Sequence, residues 1–237
     1  MSATLHPPVT FQDRTEYKRR MNALLELDRR RTAVVTVDMQ RDYLDLEVGA
    51  APVAPDDAER VLKHARELLD FARGEGLPVI HVYVNRRPAE LERTVLAGRT
   101  FETALRHGLS QNAQRGPRTI PDRQEGSPQA QVPAILLAPT DVHVTSKKSL
   151  DAFLYTDLDF LLRRVFRVDA VVLAGINTDT CVYSTAFTAS NLGYTTVVVA
   201  DCVASMRGKE HHWMALELMA RSIAWVLTLE ELKEKLR

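Results

Sequence analysis

One cysteine in the sequence stands where its thiol could act as a nucleophile. Cys181 lies in GINTDTCVYSTAF, residues 175–187, after an apolar run and at the start of a helical pattern. At a helix N-terminus the dipole and the unpaired backbone N–H groups favour a thiolate and can bind a developing oxyanion. A free cysteine is more commonly a small buried hydrophobic residue, so position alone leaves both interpretations open. Cys202 follows another apolar run without such a turn, and we interpret it as a packing residue.

Two further apolar runs end in charged residues. Asp38 ends the run in VVTVDMQRDYL, where a carboxylate is either functional or the N-cap of a following helix. Lys147 and Lys148 follow DVHVTS, and a lysine in such a place is more often a solvated surface charge. Considered together, an acid, a base and a thiol at the ends of three different runs are groups suited to nucleophilic catalysis.

Six apolar, β-branched runs alternate with helical patterns and would position these groups. The runs cover residues 32–38, 77–84, 141–146, 169–175, 194–201 and 223–228. The clearest helical patterns cover residues 57–74, 155–166 and 181–192. The alternation predicts an α/β fold, a Rossmann-like parallel sheet of about six strands with helices on both faces. Ligands in such sheets bind beyond the carboxyl ends of the strands, where Asp38, Lys147 and the turn after Gly175 are expected.

The composition restricts the classes of partner. The 31 basic and 31 acidic residues cancel, so no global charge attracts nucleic acid or anionic lipid. No apolar run reaches the roughly 18 residues of a membrane span, and the N-terminus does not resemble a secretory signal. Two cysteines are too few for a disulfide framework or a thiolate zinc site. We therefore expect a cytoplasmic protein with a single domain, residues 1–237.

Two segments lie outside the strand and helix alternation. Residues 1–30 form an extension, with an amphipathic pattern around 17–27 that is expected to pack outside the sheet or against another subunit. Residues 85–140 form a long insertion with a modest helical pattern near 89–107, which predicts a lid, a binding loop or an oligomer contact. In this insertion, Arg86 and Arg87 would meet an anionic substrate group or face solvent, and we favour solvent.

Three segments resemble the isochorismatase-like cysteine hydrolase superfamily, which includes nicotinamidases, N-carbamoylsarcosine amidases, and ureidoacrylate and biuret-type amidohydrolases. The segments are VVTVDMQRDYL, SKKSLDAFLYTDLD and LAGINTDTCVYSTAFTASNLGYTTVVVADCVAS. The resemblance covers most of residues 30–230 and implies the same parallel-sheet fold. By this resemblance Asp38 is the general base, Lys147 the active-site lysine, six residues before Phe153, and Cys181 the nucleophile.

The resemblance also implies the surroundings of these groups. A cis peptide bond characteristic of the family would join Ile176 and Asn177, and the Asn177 backbone N–H would complete an oxyanion hole with that of Cys181. Pocket-lining positions of the family correspond to Gln40, Tyr43 and Phe153, although Gln40 could equally brace the backbone. The family usually has Ser-Ala-Phe where this chain has Asp-Ala-Phe, and we expect the carboxylate of Asp151 near the pocket rim.

Departures from the family narrow the substrate. Nicotinamidases carry an Asp-x-His pair and further histidines that bind a metal, whereas this chain reads VNRRPAE after the second strand, and His211 and His212 are expected at the surface. Isochorismatases proper hydrolyse a vinyl ether and lack the cysteine. The resemblance therefore implies an amidase without metal or cofactor, which cleaves a small amide, ureide or carbamoyl compound through a thioester. Family analogy also implies a homo-oligomer, a dimer or a tetramer.

Two other functions remain open from the sequence. One is a nicotinamidase-like enzyme with an unusual pocket. The other is a catalytically idle, thiol-bearing subunit that binds a ligand or senses oxidation, because fold alone does not guarantee activity.

Overall fold

A parallel sheet forms the centre of the protein. The computed structural model describes residues 12–92, 99–110 and 118–237. Within these ranges the strands are β1 (Thr32–Val37), β2 (Val79–Val84), β3 (Val142–Lys147), β4 (Ala170–Ile176), β5 (Thr195–Ala204) and β6 (Trp225–Leu227). They pair in the order β3-β2-β1-β4-β5-β6, and every pairing is parallel. Each strand overlaps a predicted run, and the predicted fold class is confirmed.

The helices follow the strands in the alternating order expected of this fold. They are α1 (Thr15–Leu24), α2 (Arg41–Leu44), α3 (Pro55–Gly74), α4 (Pro88–Glu92), α5 (Arg99–Arg106), α6 (Leu158–Phe160), α7 (Tyr183–Asn191), α8 (Lys209–Ser222) and α9 (Leu229–Leu236). A π-helical segment, Leu161–Val165, continues α6, and another, Thr178–Val182, precedes α7. Throughout the described ranges, no helix is both long and apolar enough to span a membrane.

Both faces of the sheet are covered by helices. Val34 and Val172 pack in one buried cluster with side chains of α3 and α9. Their neighbours Val35 and Leu173 point to the opposite face and pack with α7, α8 and the segment that continues α6. Because both of its faces are buried, the inner strand β4 is continuously apolar instead of alternating between apolar and polar residues, whereas the edge strand β3 is partly exposed and more polar.

Some elements differ from their predictions. The helical pattern near 89–107 corresponds to α4 and α5, and residues 93–98 between them lie outside the described ranges, as do 1–11 and 111–117. The pattern predicted no helix at α9, which begins with a capping box between Thr228 and Glu231. The sequence of α9 is short, and its helical character becomes clear only from the structure, where its leucines pack in the buried cluster on one face of the sheet.

A chain of contacts between buried polar side chains connects β1 and β2. The Thr36 hydroxyl lies 2.7 Å from His81 Nδ1, and His81 Nε2 lies 3.1 Å from the Asp141 carboxylate. Arg73 lies 2.7 Å from the same carboxylate and holds it ionised, since the pKa of Asp141 is lowered. Nε2 of His81 therefore donates to Asp141, and Nδ1 accepts from Thr36. The arrangement resembles a catalytic triad, but the hydroxyl is buried in the core, so we interpret it as structural.

Acidification is expected to weaken the fold through His81. Burial lowers the pKa of His81 to about 4, from an ordinary 6.5, so the unfolded chain binds a proton between these values and the folded chain does not. The contribution of this histidine is complete above pH 6.5 and falls by up to about 3 kcal/mol as the pH approaches 4. Urea unfolding across this interval measures it. His81→Gln should flatten the pH dependence and exposed His107→Gln should not; an unchanged slope in His81→Gln contradicts the assignment.

Candidate active site

The three predicted catalytic side chains meet at the carboxyl edge of the sheet. Asp38 follows β1, Lys147 is the last residue of β3, and Cys181 lies in the π-helical turn after β4. Lys147 Nζ donates to Asp38 Oδ2 at 2.6 Å, and both Lys147 and Asp38 lie near enough to the Cys181 thiol to shift its pKa, in opposite directions. All three side chains are buried. One carboxylate therefore contacts an ammonium group and lies near the candidate nucleophile.

The backbone holds Asp38 in an unusual conformation. Its φ is 50°, in the left-handed region that residues other than glycine rarely adopt. Oδ1 accepts the backbone N–H of Val84 at 3.1 Å, while Oδ2 faces Lys147. The following helix, α2, has Gln40 at its N-cap position and no side-chain cap. Asp38 is therefore not a helix cap, which removes the structural alternative left open by its position in the sequence.

Cys181 is a protonated thiol in this environment. Burial raises the pKa of Cys181 to about 11, outweighing the lowering effect of Lys147, and the nearby Asp38 adds to the increase. At neutral pH this increase exceeds the stabilisation of a thiolate by the helix N-terminus. Desolvation of a nearly enclosed sulfur is the larger effect. The thiol must give its proton to a neighbour as it reacts, and Asp38 is in position to take it.

Close packing of β1 against β4 sets the position of the nucleophile turn. Gly175 has φ 148°, and a Cβ at this position would lie 2.1 Å from the carbonyl oxygen of Val37. Only glycine allows the two strand ends to approach so closely. One residue later, the peptide bond between Ile176 and Asn177 is cis.

Consecutive side chains tie this turn to the segment between β5 and α8. Asn177 Oδ1 accepts the Met206 backbone N–H at 2.8 Å, and Asp179 Oδ1 accepts the hydroxyl of Ser205 at 2.6 Å. Between them, the Thr178 hydroxyl lies 2.8 Å from Nδ1 of His212. These contacts brace the loop that carries Cys181.

The prediction for one of the paired histidines is wrong. His211 is exposed as expected, but His212 is buried against the nucleophile turn. The signal was present in the apolar positions of α8, because Leu216 and Met219 follow His212 at helical spacing and are also buried.

Side chains predicted to line the pocket divide into different roles. Gln40 braces the backbone through Nε2, which donates to the carbonyls of Val84 at 2.7 Å and Ala130 at 2.8 Å. Its Oε1 is buried and has no hydrogen-bond partner within the described part of the chain. Tyr43 is buried, and Phe153 is half-buried beside Tyr194, with the ring centroids 5.9 Å apart.

Two neighbouring charges point away from the reacting groups. Lys148 Nζ contacts the Asn85 carbonyl and the carboxylate of Glu90. Asp151 accepts the Thr188 hydroxyl at 2.8 Å and also a backbone N–H of its own loop, so its carboxylate serves as a local brace. Lys147 alone of the two adjacent lysines contacts Asp38.

The segment after β2 contributes a residue that sequence reasoning missed. Arg86 is buried and contacts Asp122 at 3.2 Å, so the expectation of a solvent-facing side chain is wrong for it. Arg87 is exposed, as expected. Arg123 is also buried, and its Nη1 donates to the hydroxyl of Tyr43 at 2.7 Å. Nothing in the polar stretch around Arg123 distinguishes it from the other arginines of the same segment.

Comparisons with known proteins show the family of this chain. The isochorismatase domain family matches residues 32–231. The chain is 30% identical over 214 residues to the uncharacterized isochorismatase family protein YwoC of Bacillus subtilis, covering 90% of this chain and 98% of that protein. It is 26% identical over 208 residues to maleamate amidohydrolase of Pseudomonas putida, covering 88% of each.

A solved structure shows the same fold. The isochorismatase family protein of Desulfovibrio vulgaris subsp. vulgaris str. Hildenborough aligns with a TM-score of 0.70 at 27% identity, covering 86% of this chain and 97% of that one. The family match includes every strand of the sheet, from β1 through β6. The chain therefore belongs to the isochorismatase family of hydrolases.

Proposed function

We propose that this hydrolase is a cysteine-dependent amidase that cleaves the C–N bond of a small amide, ureide or carbamoyl compound. The observation that carries the proposal is the buried Asp38–Lys147 pair beside the buried Cys181 thiol, whose pKa both charges shift. A thiol beside a proton acceptor, with a cation able to offset the developing negative charge, suits attack on a carbonyl. The name of one relative, maleamate amidohydrolase, supports cleavage of an amide bond over cleavage of an ether.

In the proposed first half-reaction, the sulfur of Cys181 attacks the amide carbonyl carbon while Asp38 takes the thiol proton. The new S–C bond produces a tetrahedral oxyanion, which the backbone N–H groups of Asn177 and Cys181 stabilise. Asp38 then gives its proton to the amide nitrogen, the C–N bond breaks, and ammonia or an amine leaves. The product on the enzyme is a thioester.

Water completes the cycle in the second half-reaction. Asp38, again a carboxylate, takes a proton from water as the water oxygen attacks the thioester carbonyl. The C–S bond breaks, and the proton returns from Asp38 to the sulfur of Cys181, while the acid product leaves. Lys147 remains charged throughout and offsets the negative charge that moves between the carboxylate and the sulfur.

Gln40 is proposed to contribute to substrate orientation. Its Nε2 is committed to two backbone carbonyls, which fixes the amide and leaves Oε1 as a buried acceptor. A buried acceptor without a donor is costly, so a group that brings an N–H to it gains binding energy. An amide or ureide nitrogen of the substrate is such a group. Tyr43 and Phe153 are proposed as the aromatic walls of the same pocket.

The proposed function is tested by ammonia or amine release from a panel of primary amides, ureides and carbamoyl compounds. Cys181→Ala provides the background rate, and nicotinamide is included to test the nicotinamidase alternative. We expect Cys181-dependent release from at least one class. Hydrolysis of a vinyl ether with no release of nitrogen from any compound contradicts the proposal.

The paired lysines provide a matched test of the assignment. Lys147→Ala removes the ammonium beside Asp38, and we expect turnover to fall by about 100-fold or more. Lys148→Ala removes a contact with Glu90 outside the reacting groups, and turnover should change by less than about threefold. Steady-state kinetics on the preferred amide measures both. A larger loss in Lys148→Ala means that the assignment is wrong by one residue.

Chelation should leave the activity intact. The reaction above needs no Lewis acid, and the segment that follows β2, VNRRPAE, has no Asp-x-His pair like that of the nicotinamidases. Turnover after exhaustive dialysis against EDTA should equal that of the untreated enzyme. A loss that zinc or iron restores contradicts this expectation and favours the nicotinamidase-like alternative.

A further inference from the structure

Three arginines are buried beside the candidate site, more than the carboxylates around them can neutralise. We call Arg86, Arg118, Arg123, Asp42 and Asp122 the arginine cluster. Arg118 contacts Asp42 at 2.8 Å, and Asp122 contacts Arg86 at 3.2 Å and Arg123 at 2.9 Å. The exposed fraction of each side chain lies between 0% and 13%. Three guanidinium groups against two carboxylates leave one positive charge in excess.

Within this cluster, Arg123 is the arginine whose charge acts on the reacting groups. Its charge lowers the pKa of Cys181 and also interacts with Asp38. Its guanidinium lies 5.2 Å from the ring centroid of Tyr43, a pocket residue. Arg123 lies beside the site because the next residue, Gln124, forms a β-bridge with Arg86. This pairing brings the chain back to the end of β2.

The carboxylates beside Arg123 are shared with the other arginines of the cluster. Nε and Nη2 face Asp122, which also contacts Arg86, and Nε lies 3.9 Å from Asp42, which contacts Arg118. Nη1 donates to the hydroxyl of Tyr43, which is neutral and balances no charge. Lys147 and Asp38 already neutralise each other, so they offer no anion. A backbone φ of 47° holds Arg123 in a conformation that residues other than glycine rarely adopt, as at Asp38.

An unbalanced buried cation is costly, and a guanidinium is the side chain best suited to binding a carboxylate. We infer that Arg123 is a specificity-determining residue that binds a carboxylate of the substrate, so the preferred substrate is an amide that also carries a negative charge. This inference rests on the proposed function for the reaction at Cys181. Asp122 and Tyr43 are positioning residues that orient the guanidinium.

Isosteric pairs of amides test the inference. Malonamate, succinamate and glutaramate each carry one amide and one carboxylate, and their neutral diamides have nearly the same shape. We expect the wild-type protein to prefer at least one charged amide over its diamide. Arg123→Gln should raise KM for that charged amide by about 30-fold to 100-fold and KM for the diamide by less than about threefold, while any change in kcat should be the same for both, because the charge of Arg123 also lowers the pKa of Cys181. Equal losses for both compounds, or a wild-type preference for the diamides, overturn the inference.

Matched variants separate charge from folding. Arg87→Gln removes an exposed arginine of the same segment and should leave both substrates unaffected. If Arg123→Gln is shown by circular dichroism not to fold, Arg123→Lys replaces it, because lysine keeps the charge without the planar fork. That variant should still prefer the charged amide but with KM raised about tenfold. An unchanged KM overturns the inference.

Anion binding without turnover separates this inference from the proposed function. Malonate, succinate and glutarate are titrated by calorimetry into Cys181→Ala, which cannot form the thioester. Binding of one of them that is lost in the double variant Cys181→Ala, Arg123→Gln supports the role of Arg123 even if no amide is hydrolysed. Absence of binding, or equal binding in the double variant, overturns it, whatever the amidase assay shows.

Discussion

Replacing Cys181 with alanine is expected to abolish turnover, with kcat falling by about 10⁴-fold or more, to the background of the assay. Among the described residues, Lys147 is the other potential nucleophile in contact with Asp38, and its nitrogen is engaged in an ion pair with that carboxylate. Ammonia release on the preferred amide measures the effect. Cys202→Ala is the matched control. That thiol is fully buried in β5, and its removal should cost a little stability and leave turnover close to normal.

Alkylation provides an independent check on the same cysteine. Burial raises the pKa of Cys181 to about 11, so iodoacetamide should react slowly near neutral pH and faster as the pH rises. Modification of Cys181 should still precede that of Cys202, whose pKa burial raises further, and it should parallel the loss of activity. A substrate should protect the thiol. Alkylation of Cys202 as activity disappears, with Cys181→Ala still active, would show that the nucleophile is misassigned.

The strands could be predicted because burial on both faces of the sheet requires apolar residues at successive positions of the sequence. Val34 and Val35 face opposite layers of helices, so both must be apolar, and the run around them is unbroken. Parallel strands then place their carboxyl ends at one edge. Asp38 and Lys147 could be found from this rule together with the family resemblance, although β2 lies between their strands.

Residues supplied by other segments could not be found in this way. Arg123 reaches the site because the chain after β2 returns to pair with Arg86, a long-range contact without a local sequence signature. His212 reaches the nucleophile turn because one face of α8 is buried, and only that helical periodicity marks it. A linear pattern reports which face of an element is apolar; it does not report which distant segment packs against that face.

The protonation state of the Cys181 thiol also could not be predicted from the sequence. A position at a helix N-terminus suggests a thiolate, but the competing effect is desolvation, which depends on how completely the surrounding segments enclose the sulfur. The structure resolves this competition in favour of the protonated form. The role proposed for Asp38 is therefore to accept the proton of Cys181 during the reaction, and not only to orient a nucleophile that is already a thiolate.

Replacing Asp38 with asparagine is expected to lower turnover by about two to four orders of magnitude, the usual contribution of a positioned acid–base group. Asparagine keeps the size of the side chain and can still accept from Lys147, but it cannot take the Cys181 proton. The variant must lose that proton to solvent, so its residual kcat should rise with pH towards the raised pKa of Cys181, while wild-type kcat should not show this rise. Asp157→Asn, at an exposed position before α6, is the control. With circular dichroism showing a native fold, an Asp38→Asn protein that keeps half its turnover, or that shows the wild-type pH profile, would mean that Asp38 does not carry the proton.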